Sequence, residues 1–79
     1  MSSARAVTVD EWKLFVLVAE VGNLTRTAAL RDTAQPVISR QIAQLERKCA
    51  TKLFDRNGRG VSLTESGRRA LPRVKAWLE

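Results

Sequence analysis

The stretch "DTAQPVISRQIAQLERKC", residues 32–49, decides the fold. Ile38, Ile42, Leu45 and Cys49 recur three or four residues apart and mark one face of a helix. Pro36 falls in the first turn of that pattern, where its missing N–H would have had no intrahelical partner and its fixed φ is already helical. The spacing therefore predicts a helix over residues 35–49, which the proline starts and does not break. With the apolar face inward, a step of about 100° per residue turns Pro36, Arg40, Gln44 and Arg47 outward, with Gln35, Ser39 and Gln41 along the edges. That outer face carries no acid; Glu46 falls to one side, within reach of an Arg or Lys from a neighbouring element. Gln can bond adenine bidentately, Arg guanine, and Ser almost any base edge or phosphate, so the face suits a groove lined with base edges. An ordinary solvated face would mix both signs and use Glu and Lys freely.

Working back from this helix, residues 1–7 read as a flexible polar tail. Thr8 with Glu11 forms a capping box, and Trp12, Phe15, Val16 and Ala19 then repeat at helical spacing, predicting a first helix over residues 9–21. Gly22 supplies its stop, and Asn23 caps a short second helix from residue 24 to residue 30 or 31. In that helix Ala28 and Ala29 are small enough to admit a close neighbour, while Thr25, Arg26 and the N–H groups of the first turn can meet a phosphate.

Beyond residue 49 the period changes. "LFDR" and "VSL" are short β-capable runs around "NGRG", whose glycines and Asn suit a tight turn, predicting a hairpin. Lys52, Arg56 and Arg59 gather about Gly58 and Gly60, where absent side chains permit approach to a phosphate backbone or a minor groove. As a sequence feature alone this is a turn with a solubilising Arg; the polar helix beside it gives it meaning. Thr64 caps a last helix with Leu71, Val74 and Leu78 on one stripe and Trp77 beside it, and Pro72 is expected to kink or split that helix near residue 71. Helix, helix, helix, hairpin, helix is a mainly α architecture, the winged variant of the helix-turn-helix. The divisions expected are a tail (1–7), a winged helix-turn-helix domain (8–64) and a linker or dimerisation helix (65–79).

Charge supports the same side of the molecule. The net charge is +6, yet residues 1–34 hold four basic and four acidic side chains, so the excess lies wholly in residues 35–79. Such asymmetry points to a polyanion at one side of the fold. The 79-residue chain is small enough that its core needs help, and one cysteine with no histidine excludes an internal disulfide and argues against a structural metal. A partner subunit is the remaining helper.

"GNLTRTAA", "AQPVISRQIAQLE" and "KLFDRNGRGVSLTESG" resemble, in order, signature blocks of the N-terminal DNA-binding domain of LysR-type transcriptional regulators, over residues 8 to about 78. The resemblance implies a winged helix-turn-helix that binds double-stranded DNA, homodimers formed by antiparallel pairing of the last helices, and a C-terminal effector-sensing domain outside this chain. By position, Gln35, Pro36, Ser39 and Arg40 correspond to major-groove residues, with Gln44 added from the outward face. Arg56 and Arg59 correspond to wing and backbone contacts, and Thr25 and Arg26 to supporting phosphate contacts. Leu71, Val74, Trp77 and Leu78 would form the dimer interface. Three residues depart from the family pattern: Arg31 and Thr33 stand where apolar residues are usual, with Leu30 the only nearby apolar side chain; Ala34 replaces a capping Ser; and Ala50 replaces a Gly, at a cost of up to about 1 kcal/mol if the position is left-handed.

Cys49 lies on the inward stripe with no histidine to activate it, so it reads as core. Trp12 belongs to the first helix's buried stripe. General acid and base roles have no candidates, and no cofactor, catalytic or metal site is expected. The longest apolar run, residues 14–19, is far short of a membrane span, and a cytoplasmic location is expected. The rival reading is a helical protein-interaction module in which Leu71, Val74, Trp77 and Leu78 bind a partner and the basic face is incidental.

Overall fold

A computed structural model describes residues 7–58 and 60–79. Its elements are α1 (Val9–Val21), α2 (Leu24–Leu30), α3 (Gln35–Cys49), β1 (Phe54–Asn57), β2 (Gly60–Leu63) and α4 (Glu65–Leu78), in the order and nearly at the boundaries expected. The antiparallel hairpin pairs Phe54 with Leu63 and Asn57 with Gly60. No helix among the described residues is long and apolar enough to cross a membrane.

Each start signal acts as its chemistry requires. Thr8 Oγ1 accepts from the Glu11 N–H at 3.1 Å while the Glu11 carboxylate accepts from the Thr8 N–H at 2.9 Å, closing the capping box. Asn23 Oδ1 accepts from the Arg26 N–H, and Thr64 Oγ1 from the Gly67 N–H. Ala34 gives α3 no side-chain cap. At the far ends, Gly22, Asp32 and Ala50 all adopt left-handed backbone, with φ of 72°, 57° and 57°. After α2, the Thr33 N–H donates to the Ala28 carbonyl and Asp32 to Ala29; after α3, Thr51 donates to Glu46 and Ala50 to Arg47. Both are Schellman closures, built here without glycine.

The core is Phe15, Val18, Leu14, Ile38, Ile42, Leu45, Ala28, Leu24, Leu53, Phe54 and Val74. The Phe15 ring lies between Trp12, edge-on at 5.6 Å, and Phe54 at 5.4 Å, so one side chain ties α1 to the hairpin. The buried face of α1 is Leu14, Phe15 and Val18, with Trp12, Val16 and Ala19 only half-buried. The expected stripe is thus turned, because α1 is central and packs against α2 and α3 on one side and α4 on another. Val7, expected in the tail, is half-buried on the core, and with Trp12 it holds the two positions of a hydrophobic staple across the cap. Ala28 is buried but Ala29 is exposed, so only the first admits a close neighbour.

Two further expectations are corrected. Leu30 does not fill the turn after α2; it is 62% exposed, and Thr27, fully buried and donating to the Asn23 carbonyl, occupies the inside of that helix. Nor does Pro72 split α4, which runs unbroken from Glu65 to Leu78. Pro72 and Arg68 share an exposed face, so the Arg68 carbonyl that lacks its i+4 donor faces water. Along its length α4 buries Gly67 and Val74 against the rest of the body, and Lys75 pairs with Glu20 of α1 at 3.1 Å.

Candidate nucleic-acid interface

The fastening of the hairpin to α3 builds this surface. Glu46 does more than pair with a cation: its carboxylate accepts the backbone N–H of Leu53 at 2.7 Å and of Phe54 at 3.0 Å, with Lys52 at 4.0 Å. Seven residues earlier on the same flank, Ser39 Oγ accepts from the Arg56 guanidinium. Two helical turns of α3 thus grip β1 at both ends. The opposite edge is held by the Val61 N–H, which donates to the Gly22 carbonyl at 3.1 Å. A Cβ on Gly60 would stand 2.4 Å from that same carbonyl, so only glycine lets the wing close on the turn between α1 and α2.

These contacts leave a cleft of about 210 Å³ lined by Asn23, Leu24, Thr25, Gln35, Arg56, Asn57, Gly60 and Val61. Thr25, Gln35 and Arg56, far apart in sequence, are brought together there, and Ser39 joins them through Arg56. Pro36, Arg40 and Arg47 are exposed on the outward face of α3, and neither arginine has an ion-pair partner among the described residues. Gln44 sits apart, on the flank facing α1, where it shares a cleft with Thr8, Asp10, Glu11, Arg31 and Lys48. Arg26 is exposed, but its N–H is taken by Asn23, so what α2 offers a phosphate there is the side chain and not that amide. Arg59 lies outside the described residues.

Sequence reasoning did not single out Asn23, Asn57 or Val61 as lining residues, because only the wing's closure on Gly22 places them beside α3. Arg47 was legible, two turns along the outward face from Arg40.

The charges beneath are structural. Lys48 binds both oxygens of Glu11, at 2.8 and 3.0 Å, joining α3 to α1. Burial raises the Glu11 pKa, but the hydrogen bonds from Lys48 and Thr8 and the Lys48 charge outweigh it and hold the carboxyl below its usual value. Cys49, half-buried, has its thiol pushed up by burial and by the negative Glu11 and Glu46, which keeps it protonated and a poor nucleophile. Among the described residues no group of His, Cys, Asp and Glu could hold a metal ion.

The dimer candidates divide. Val74 is buried in the protomer's own core at 8% exposure, and Leu71 and Leu78 are half-buried against it. Trp77 alone of the four is open, at 61%.

Residues 9–68 match the family described as bacterial regulatory helix-turn-helix protein, lysR family. An uncharacterized HTH-type transcriptional regulator of Azotobacter vinelandii, from the ibpB-leuC intergenic region, is 46% identical over 60 residues, covering 76% of this chain and 42% of that protein. Among solved structures, the CbnR DBD–DNA complex superposes with a TM-score of 0.84 at 33% identity, covering 91% of this chain and 83% of that one. The BenM DBD bound to benA site 1 DNA gives the same TM-score at 30% identity, covering 91% and 81%. The chain spans between 17% and 42% of the length of eight of the curated relatives it matches.

Proposed function

Because the chain belongs to the lysR family of bacterial regulatory helix-turn-helix proteins, we propose that it is the sequence-specific, double-stranded-DNA-binding part of a dimeric transcription regulator. The observation that carries this reading is the outward face of α3, where Arg40 and Arg47 have no acidic partner among the described residues and stand beside a cleft that gathers Thr25, Gln35 and Arg56. Placed in a major groove, α3 offers Gln35, Ser39 and Arg40 to base edges, with Pro36 in van der Waals range and Gln44 on the far flank. The wing carries Arg56 and Arg59 to the adjacent backbone or minor groove, and Thr25 and Arg26 meet phosphates beside the start of α2. The DNA complexes of CbnR and BenM, which share this fold, support the placement.

Trp77, with the exposed edges of Leu71 and Leu78, is the surface through which two copies pair, so the target is a roughly palindromic pair of half-sites. The protein acts by binding and not by catalysis: its one thiol is held protonated and the sequence has no histidine. It works in the bacterial cytoplasm, and any effector reaches it through a further domain of the whole regulator.

A salt titration tests this. Duplex binding should weaken steeply as salt rises, log K falling against log salt with a slope of about −0.9 for each phosphate neutralised. Weak binding with a flat slope would instead favour a protein-interaction module. On selected against random duplexes, Arg40→Ala and Gln35→Ala should lose discrimination more than general affinity, and Arg59→Ala should weaken all duplexes alike.

A further inference from the structure

Within the DNA-binding reading just given, on which this inference rests, we propose that Arg56 acts through Ser39. By occupying the serine oxygen as an acceptor, it makes Ser39 a committed hydrogen-bond donor that rejects cytosine at one contacted base. Ser39 is half-buried on the wing flank of α3, and its Oγ accepts from Nη2 of Arg56. A hydroxyl has one proton to donate and two lone pairs. Serine in a helix commonly gives its proton to the carbonyl four residues back. Here, among the described residues, the Ser39 proton has no acceptor, so it remains available to a ligand.

The guanidinium sets the polarity of what remains. A cation on the oxygen strengthens the O–H as a donor and repels a second N–H from the other lone pair. In the major groove guanine offers N7 and O6, adenine N7 and thymine O4 as acceptors, whereas cytosine offers only its N4 amino donor. A serine so held accepts three bases and rejects the fourth. The arrangement does not depend on a mobile arginine finding the serine by chance: Glu46 grips the start of β1, and Val61 and Gly60 anchor β2 on Gly22, so the wing delivers Arg56 to Ser39 from a fixed frame. Among the described residues only one of the five N–H donors of Arg56 is used, leaving the others for the DNA backbone. Arg56 is then a positioning residue for Ser39 as well as a phosphate contact.

The test is selection of bound duplexes from a random pool by the 79-residue chain and by its Ser39→Ala, Ser39→Thr and Arg56→Met variants. Direct affinities follow for the selected duplex and for the same duplex with cytosine at the position in question. The unaltered chain should deplete cytosine at one position by roughly tenfold, the effect of one hydrogen bond. Ser39→Thr should keep that depletion. Ser39→Ala and Arg56→Met should both abolish it at the same position, and the double variant should lose nothing more. Arg56→Met should also bind all duplexes less tightly, but a merely structural or phosphate-binding arginine would lower affinity without altering one base preference. Depletion that survives Arg56→Met while Ser39→Ala removes it would overturn the coupling and leave the DNA-binding reading intact, as would a pool that Ser39→Ala leaves unchanged. Failure of the unaltered chain to bind any duplex in a salt-dependent way would overturn the reading beneath.

Discussion

Ala50 closes α3 in a left-handed conformation, φ 57° and ψ 30°, that a side chain disfavours. The surrounding Schellman bonds force it there, so replacing the methyl group by hydrogen should relieve strain: Ala50→Gly is expected to stabilise the chain by up to about 1 kcal/mol, read as a higher urea midpoint at unchanged slope. This position was legible, because the end of an apolar stripe and an absent glycine can both be seen in a sequence. Asp32 was not, since nothing in "LRDTA" separates a left-handed aspartate from an ordinary turn residue. Glu11 shows the same limit. Its place in the capping box followed from three-residue spacing, but its ion pair with Lys48, 37 residues away, depends on how α1 crosses α3. Its carboxyl is held below the usual value, so the stabilisation is fully present above the unfolded-state pKa and is lost as pH falls through the lower folded-state one. Thermal midpoints of the unaltered chain and Glu11→Gln should differ by a constant amount at neutral pH and converge in acid below the usual glutamate range; a gap independent of pH would show that the ion pair is not its source.

Among the elements, α3 and the wing form a single mechanical unit. Periodicity gave the inward face of α3, and Ile38, Ile42 and Leu45 are indeed buried. It could not give the partner of Glu46, because β1 arrives alongside α3 only after the hairpin has turned and packed Leu53 and Phe54 into the core. The first N–H groups of an edge strand have no ladder partner there, and a carboxylate on the neighbouring helix satisfies them. Glu46→Ala leaves two part-buried amides without an acceptor and should destabilise the chain by about 2–3 kcal/mol, measured by urea unfolding. If stability falls by less than about 0.5 kcal/mol, water replaces the carboxylate and the clasp does not hold the wing. The turn between α2 and α3 shows a different limit. Leu30 was the apolar residue nearest the place where a core side chain is usual, yet a helix of seven residues presents only one inward stripe, here Leu24, Thr27 and Ala28, and Leu30 falls outside it. Arg31 consequently borders two open clefts in place of a core side chain.

Over the whole molecule, the excess positive charge is shared by α3, the wing and α4, and the exposed Trp77 stands on the same helix as Arg68, Arg69, Arg73 and Lys75. The excess of basic residues after residue 34 was plain in the sequence, as was the polar face of α3. The division of the last helix was not: a stripe of Leu71, Val74 and Leu78 reads equally well as core or as interface, and the packing of α4 on α1 decides it. Val74 belongs to the protomer, whereas Trp77 faces outward and is the large apolar side chain that a second copy can cover. Substitution should separate the two roles. Trp77→Ala is expected to raise the dimer dissociation constant at least roughly tenfold by sedimentation equilibrium, since aromatic anchors dominate such interfaces, while the unfolding free energy of the protomer stays within about 0.5 kcal/mol. Val74→Ala should do the reverse, costing about 1–2 kcal/mol of protomer stability through the cavity it leaves. Because a palindromic duplex rewards two linked copies, Trp77→Ala should also bind paired half-sites little better than a single one, whereas Val74→Ala should keep the advantage at temperatures where it remains folded. If Trp77→Ala keeps that advantage and sediments as the unaltered chain does, the copies pair through another surface.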